Sequence, residues 1–221
     1  MATCVGMITI GQSPRVDVVP EVQALVSRPM DVVEAGALDG LSLDEVRRLV
    51  PGPGDETLVT RMADGTEVQV AKRHIVPRLQ SCIDRLGSKV EAVVLLCTGA
   101  FPEFHASVPL LEPQRLVDRI VQAVAPGGSI GLMLPAAAQA EAGRRKMQEY
   151  GLVAKVVVAS PYGRFEEISQ AGATFRDSGV RAVVMHCIGY DAKMKAEVRR
   201  SSGRPVLLAR SLVGKILEEM L

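Results

Sequence analysis

Val90-Glu91-Ala92-Val93-Val94-Leu95-Leu96-Cys97-Thr98-Gly99 recurs ninety positions later as Val180-Arg181-Ala182-Val183-Val184-Met185-His186-Cys187-Ile188-Gly189. Six of the ten positions are identical, and both copies are short, Val-rich apolar runs ending in Cys-x-Gly. A run of this kind reads as a strand buried on both faces, the type that fills parallel sheets. Each Cys then falls at the carboxyl end of its strand, the edge at which open α/β sheets hold their ligands. The repeat therefore predicts two similar halves, each bringing one thiol to a shared cleft.

The flanks of the two copies extend the repeat. In the first half, Cys4 to Ile10 reads as a strand and Gly11 to Arg15 as a polar turn. A short helix follows over Pro20 to Val26, with Asp17 as a start signal. Val32-Val33 is a second strand closing at Gly36, and a helix from about His74 to Leu86 leads into the first Cys strand. Glu112 to Ala125 is helical and stops at Pro126-Gly127-Gly128. The second half predicts strands at Ser129 to Leu134, Val153 to Val158, Ala182 to His186 and Pro205 to Leu208. Helices at Ala136 to Tyr150, Phe165 to Ser178, Asp191 to Arg200 and Ser211 to Met220 separate and close them. Strands alternating with helices require a parallel sheet with helical crossovers.

One block, 37–72, breaks the alternation. Ser42 and Glu45 have the spacing of a capping box, opening a short helix to about Val50. Pro51-Gly52-Pro53-Gly54 ends it. Thr57 to Met62 and Thr66 to Val70 then flank Asp64-Gly65, a hairpin signal. Gly6 to Cys97 spans 91 positions and Gly131 to Cys187 spans 56, a difference of 35 that is close to the length of the block. The block therefore reads as a helix–hairpin insertion. The fold predicted is α/β with two pseudo-symmetric parallel-sheet lobes and this insertion in the first. The N-terminal lobe is residues 1–125 and the C-terminal lobe 126–221, with the last segment placed to pack back on the first lobe. The hairpin is assigned either to covering the cleft or to a homo-oligomer contact. Thr98 to Leu111, with Phe101, Glu103, His105 and Ser107, exceeds the usual βα loop of about 2–6 residues and reads as a candidate active-site loop.

Composition excludes several functions. A net charge of +1 provides no field for nucleic acid or a membrane surface, and 3% aromatics with no Trp leaves few platforms for stacking bases. No apolar run nears the ~18 residues of a membrane span. The N-terminus lacks a basic leader and reads as a first strand, not a signal peptide. Cys4, Cys82, Cys97 and Cys187 show neither disulfide-framework nor CxxC spacing. They predict reduced thiols in a cytoplasmic protein.

With the repeat established, the chain resembles the AroM family. The matching residues are Ile8-Thr9-Ile10-Gly11-Gln12-Ser13-Pro14-Arg15, Gly36-Ala37-Leu38-Asp39-Gly40-Leu41-Ser42, Leu95-Leu96-Cys97-Thr98-Gly99, Leu111-Glu112-Pro113 and His186-Cys187-Ile188-Gly189-Tyr190. More distantly, the two-Cys repeat is similar to the aspartate/glutamate racemase superfamily, which includes hydantoin racemases and related isomerases. That resemblance implies two pseudo-symmetric α/β lobes with the site between them and no cofactor. Superfamily racemases usually carry Asn-Thr after the first Cys and Thr-His after the second, where this chain has Thr98-Gly99 and Ile188-Gly189.

Two thiols suit racemisation next to a carbonyl, which needs a base on one face of the carbon and an acid on the other. An unperturbed thiol pKa of about 8.5 is tunable toward neutrality, where acid–base catalysis works best. Each sulfur must approach the reacting carbon to about 3–3.5 Å, which sets the thiols about 6–7 Å apart, too far for a disulfide. Cys97 and Cys187 are the predicted acid–base pair, acting on a small carboxylate. Backbone N–H groups around Thr98, Gly99 and Ala100, and around Ile188, Gly189 and Tyr190, are predicted to favour the thiolates and to hold a carboxylate or enediolate oxygen. Arg15 is the predicted carboxylate fork, with Gly11, Gln12 and Ser13 beside it. Cys4 and Cys82 read as packing residues, His186 as a core histidine and His105 as a lid residue. Three rival readings stand beside this one. The four side chains Cys97, Cys187, His105 and His186 have the donors for zinc, although no short-spaced pair. The cleft also suits a non-catalytic carboxylate-binding protein. A single Cys would suffice for a decarboxylase or a cis–trans isomerase working through a thiol adduct.

Overall fold

The computed structural model describes residues 3–221. Met1 and Ala2, part of the N-terminal stretch read as a first strand, lie outside the described residues. The first strand, β1 (Thr3–Thr9), is apolar on both faces, with Val5, Met7 and Ile8 fully buried. It lies between β2 (Met30–Gly36) and β5 (Ala92–Leu96), parallel to both. Between β1 and β2 runs α1 (Val19–Gln23), started by Pro20. All five residues of β5 are buried, as its uninterrupted apolar run requires. The sheet ends in β6 (Leu110–Leu111), giving the order β2-β1-β5-β6. The sequence places Leu110 and Leu111 in the loop after Cys97, because two residues are too short to show a period. They form a strand because β5 offers a parallel edge, pairing Val93 with Leu110.

Between β2 and β5 come α2 (Leu43–Arg47), β3 (Thr57–Arg61), β4 (Glu67–Ala71) and α3 (Lys72–Gly87). The Ser42–Glu45 capping box is formed, with the Ser42 amide donating to the Glu45 carboxylate at 2.8 Å. The hairpin turns at Gly65, whose φ of +89° suits only glycine without strain. Leu58, Met62 and Val70 of the hairpin segment share one core with Ile8, Ile10, Ala35 and Leu95. The hairpin is thus built into the hydrophobic centre of its unit.

The rest of the chain repeats the pattern. It comprises α4 (Pro113–Val124), β7 (Ser129–Leu134), α5 (Ala140–Glu149), β8 (Val153–Val158), α6 (Phe165–Ala173), β9 (Val183–Met185), α7 (Ala192–Ser202), β10 (Val206–Leu208) and α8 (Ala209–Met220). β7 pairs with β8 and β9, and β9 with β10, all parallel, in the order β8-β7-β9-β10. Laid over the first sheet, β7 corresponds to β1, β8 to β2, β9 to β5 and β10 to β6. The two sheets therefore share one topology. The α6 helix ends at Ala173, short of the expected Ser178, and Phe175 beyond it is fully buried against Gly131.

The chain divides into two compact units, one running to Pro113 and including Val213–Leu221, the other Gln114–Leu212. This differs from a boundary at 125/126 by α4 beyond its first residue, Pro113. Val117, Val121 and Ala125 find their core with Leu132, Leu134 and Met147, within the second unit. In the first unit, the end of α8 meets the α1 region, where the Ser27 amide donates to Glu218 at 2.7 Å.

Candidate active site

In the first unit, the register pairing Thr9 with Leu96 sets the carboxyl ends of β1 and β5 side by side. Cys97 follows β5 directly and is 8% exposed. The chain turns immediately, so that the Gly99 amide donates to Cys97 Sγ at 3.3 Å. A Cβ on Gly99 would lie 2.9 Å from the end of the Leu58 side chain of the hairpin, so this turn packs closely on it. Thr98 is buried beside it. Farther along, Phe101 and Phe104 pack with ring centroids 5.8 Å apart. Gln80 of α3 clamps the backbone of His105, accepting from its amide at 3.0 Å and donating to its carbonyl at 2.7 Å, while the His105 side chain stays exposed.

The loop after β1 is built as tightly. The Gln12 side chain donates to the carbonyls of Leu38 and Leu41 and accepts from the Ala63 amide at 2.8 Å. Ser13 donates to Asp39 through both its amide and its hydroxyl, each at 2.7 Å. A Cβ on Gly11 would collide with the Arg61 carbonyl. Arg15 is only 3% exposed, and its guanidinium binds Asp17 through two nitrogens at 2.8 Å and Thr9 through a third at 2.9 Å. Burial raises the Asp17 pKa, but the hydrogen bond and charge of Arg15, with help from Arg61, outweigh it and hold the carboxyl below its ordinary value.

The second unit repeats the thiol geometry. Cys187 lies just past β9 and is 7% exposed, and the Gly189 amide donates to its Sγ at 3.4 Å. A Cβ on Gly189 would lie 2.7 Å from the Tyr162 hydroxyl and 2.8 Å from Pro161, so the loop after β8 rests directly on this peptide. Ile188 and Tyr190 are buried, and the Tyr190 hydroxyl donates to the Ala159 carbonyl at 2.6 Å. Burial, with Cys187 and Tyr162 nearby, pushes the Tyr190 pKa well above its ordinary value. Asp191 caps α7 by accepting from the Met194 amide at 2.7 Å.

His186 alternates away from Cys187 and faces a polar cluster. Asp118 of α4 accepts from Gln114 at 2.6 Å and Tyr150 at 3.0 Å, and pairs with Lys146 at 2.7 Å. Its second oxygen lies 4.0 Å from His186 Nε2. Burial lowers the His186 pKa to about 4 despite Asp118, so the ring is neutral at pH 7. Burial and Asp118 push the Tyr150 pKa up to about 12. Among the described residues no three His, Cys, Asp or Glu side chains are grouped to hold a metal ion.

Of the sequence-predicted residues, Gly11, Gln12, Ser13, Arg15, Cys97, Thr98 and Gly99 lie at the strand ends of the first unit. Cys187, Ile188, Gly189 and Tyr190 lie at those of the second. Sequence reasoning missed Tyr162, which looks like an ordinary turn residue. It also missed Arg210, fully buried and bonded to the Ile188 and Gly189 carbonyls. A lone charge in the apolar run Val206-Leu207-Leu208-Ala209-Arg210-Ser211-Leu212-Val213 was the available signal, since buried charges need partners.

Two parallel sheets of one topology, each ending in a Cys-x-Gly loop with its amide on the sulfur, define an α/β protein with the fold of racemases and isomerases. The solved structures similar to it include maleate isomerase Iso from Pseudomonas putida S16, at 12% identity and a TM-score of 0.66 over 100% of this chain and 93% of that one. Picrophilus torridus aspartate racemase is similar at 15% identity and a TM-score of 0.61, over 99% and 94% of the two chains. Arylmalonate decarboxylase matches at 15% identity and a TM-score of 0.61, over 99% and 92%. The AroM protein family model matches residues 5–221, and the chain belongs to that family. No curated protein matches the chain. No helix among the described residues is long and apolar enough to cross a membrane.

Proposed function

We propose that the protein is a cofactor-independent isomerase of the racemase type, acting on a small carboxylate with Cys97 and Cys187 as acid and base. The observation that carries this reading is the duplicated thiol geometry. Equivalent strands of two like sheets end in a cysteine whose sulfur accepts from the amide two residues on, at 3.3 and 3.4 Å. A hydrogen bond donated to sulfur favours the thiolate, the form that abstracts a proton. Duplication matters because inversion at carbon needs one group to remove a proton and a second to return one on the opposite face. The substrate class is supported by the structural neighbours, whose names specify aspartate, maleate and arylmalonate, all carboxylates.

In this mechanism one thiolate takes the proton next to the carboxylate or carbonyl, and the other thiol donates its proton to the opposite face. The thiol and thiolate roles are exchanged at the end of each turnover, and a second turnover in the same direction requires that the first sulfur lose its proton to solvent and the second regain one. The test is incubation with amino acids, hydantoins and hydroxy acids in D2O, reading deuterium at the α-carbon. The expected result is incorporation with inversion in the wild type, and loss of inversion in Cys97→Ala and in Cys187→Ala. Inversion that survives either change removes the two-base mechanism.

A second reading, single-thiol decarboxylation, is supported by the arylmalonate decarboxylase likeness. It predicts CO2 release from a malonate that depends on one cysteine and not the other.

A further inference from the structure

Arg210 is the second residue of α8, and its side chain is the bulkiest of those fully buried. Two features make this an expensive place for a cation. A buried guanidinium loses its hydration. The first turn of a helix is also the positive end of its dipole, where a cation is disfavoured. An uncharged side chain would serve the helix better, so the charge must act on something else.

Its hydrogen bonds show what that is. Arg210 Nε donates to the Ile188 carbonyl at 3.0 Å, and a terminal nitrogen donates to the Gly189 carbonyl at 2.9 Å. The Ile188 carbonyl and the Gly189 amide belong to one planar peptide unit, in which C=O and N–H point in opposite directions. The same Gly189 amide donates to Cys187 Sγ at 3.4 Å. The guanidinium therefore grips the oxygen of the peptide whose N–H points at the thiol. A cation on the carbonyl side polarises the amide and strengthens the bond it donates, as hydrogen bonds in series do.

We propose that Arg210 is a positioning residue for Cys187, fixing and polarising the Ile188–Gly189 peptide so that its N–H favours the thiolate. This deepens the reading of Cys187 as an acid–base thiol and rests on it. The role requires no contact between Arg210 and the substrate: the residue acts on the thiol through the peptide.

The experiment is the pH dependence of iodoacetamide alkylation, resolved by cysteine through mass spectrometry, on the full chain and on Arg210→Met and Arg210→Lys. In the wild type, the Cys187 midpoint is expected below the ordinary thiol value of about 8.5. Arg210→Met should raise it by about one unit or more, the effect of a charge a few ångströms away at an effective dielectric of about 20. Arg210→Lys, which keeps the charge and loses the fork, should restore part of the shift. Cys4, on β1 of the first sheet and outside the Cys-x-Gly repeat, is the control and should not move. The proposal is overturned if the wild-type midpoint is 8.5 or above, if Arg210→Met leaves it unchanged, or if Cys4 shifts with it. Should Arg210→Met not fold, the wild-type midpoint and Arg210→Lys decide: an Arg210→Lys midpoint below that of the wild type also overturns it. Because the readout is reactivity and not turnover, a shifted midpoint without deuterium exchange in any substrate removes the isomerase reading and leaves the role of Arg210 standing.

Discussion

Arg15 closes its guanidinium fork on Asp17, with Nε to Oδ1 and a terminal nitrogen to Oδ2 both at 2.8 Å. The arginine that the sequence offers to a substrate carboxylate already holds a carboxylate of its own chain, two residues away. A ligand reaching this fork must displace Asp17. Asp17→Ala would leave a buried guanidinium without that partner, at a cost of about 3 kcal/mol. In that variant, sulfate or a small carboxylate should recover part of the lost thermal stability by binding the native state, and should stabilise the wild type less. Melting curves with and without the anion decide. Equal stabilisation of both forms would show that Arg15 takes no external anion.

Tyr190 is also committed within the fold. Its hydroxyl is fully buried and donates to the Ala159 carbonyl at 2.6 Å. Tyr190→Phe would leave that acceptor unpaired and should cost about 1–3 kcal/mol in urea denaturation. KM for the substrate, once found, should not change. A raised KM at unchanged stability would return Tyr190 to the substrate-binding set.

His186 gives stability a pH dependence. Its folded pKa of about 4 lies below the ordinary 6.5, so between these values the unfolded chain binds the extra proton and the folded one does not. The stability of the neutral, buried ring is fully present above pH 6.5. It falls progressively as pH drops toward 4, by about 3 kcal/mol in all from this group. His186→Gln cannot titrate, so its denaturation midpoint should fall less between pH 7 and pH 4.5 than that of the wild type. Parallel pH profiles would place the acid sensitivity elsewhere.

Gly11 marks where the loop after β1 touches the hairpin. The Gln12 amide donates to the Arg61 carbonyl at 3.1 Å, and a methyl group on Gly11 would collide with that same carbonyl. Because the obstacle is backbone and not the end of a flexible chain, Gly11→Ala should destabilise by about 1–3 kcal/mol, measured by chemical denaturation. A neutral substitution would mean that the hairpin moves freely away from the loop.

Local chemistry was enough to reveal the strands, the hairpin, the capping box and the duplicated Cys-x-Gly ends. Burial on both faces demands uninterrupted apolar residues, a tight hairpin demands Asp-Gly and a helix start is marked by Ser-x-x-Glu, whatever lies elsewhere in the chain. That information sits within a few neighbouring positions, and so does the alternation that makes both sheets parallel. Partnership was settled only by folding. The α4 helix reads as amphipathic in either half, and its unit is chosen by whichever apolar surface Val117 and Val121 meet. Leu110 and Leu111 become a strand because β5 presents an open edge. Arg15 turns to Asp17, and Arg210 reaches back to Ile188 across 22 positions. A side chain's role depends on what stands within about 3 Å of its polar atoms, and for groups brought together by crossovers no periodicity in the chain records that.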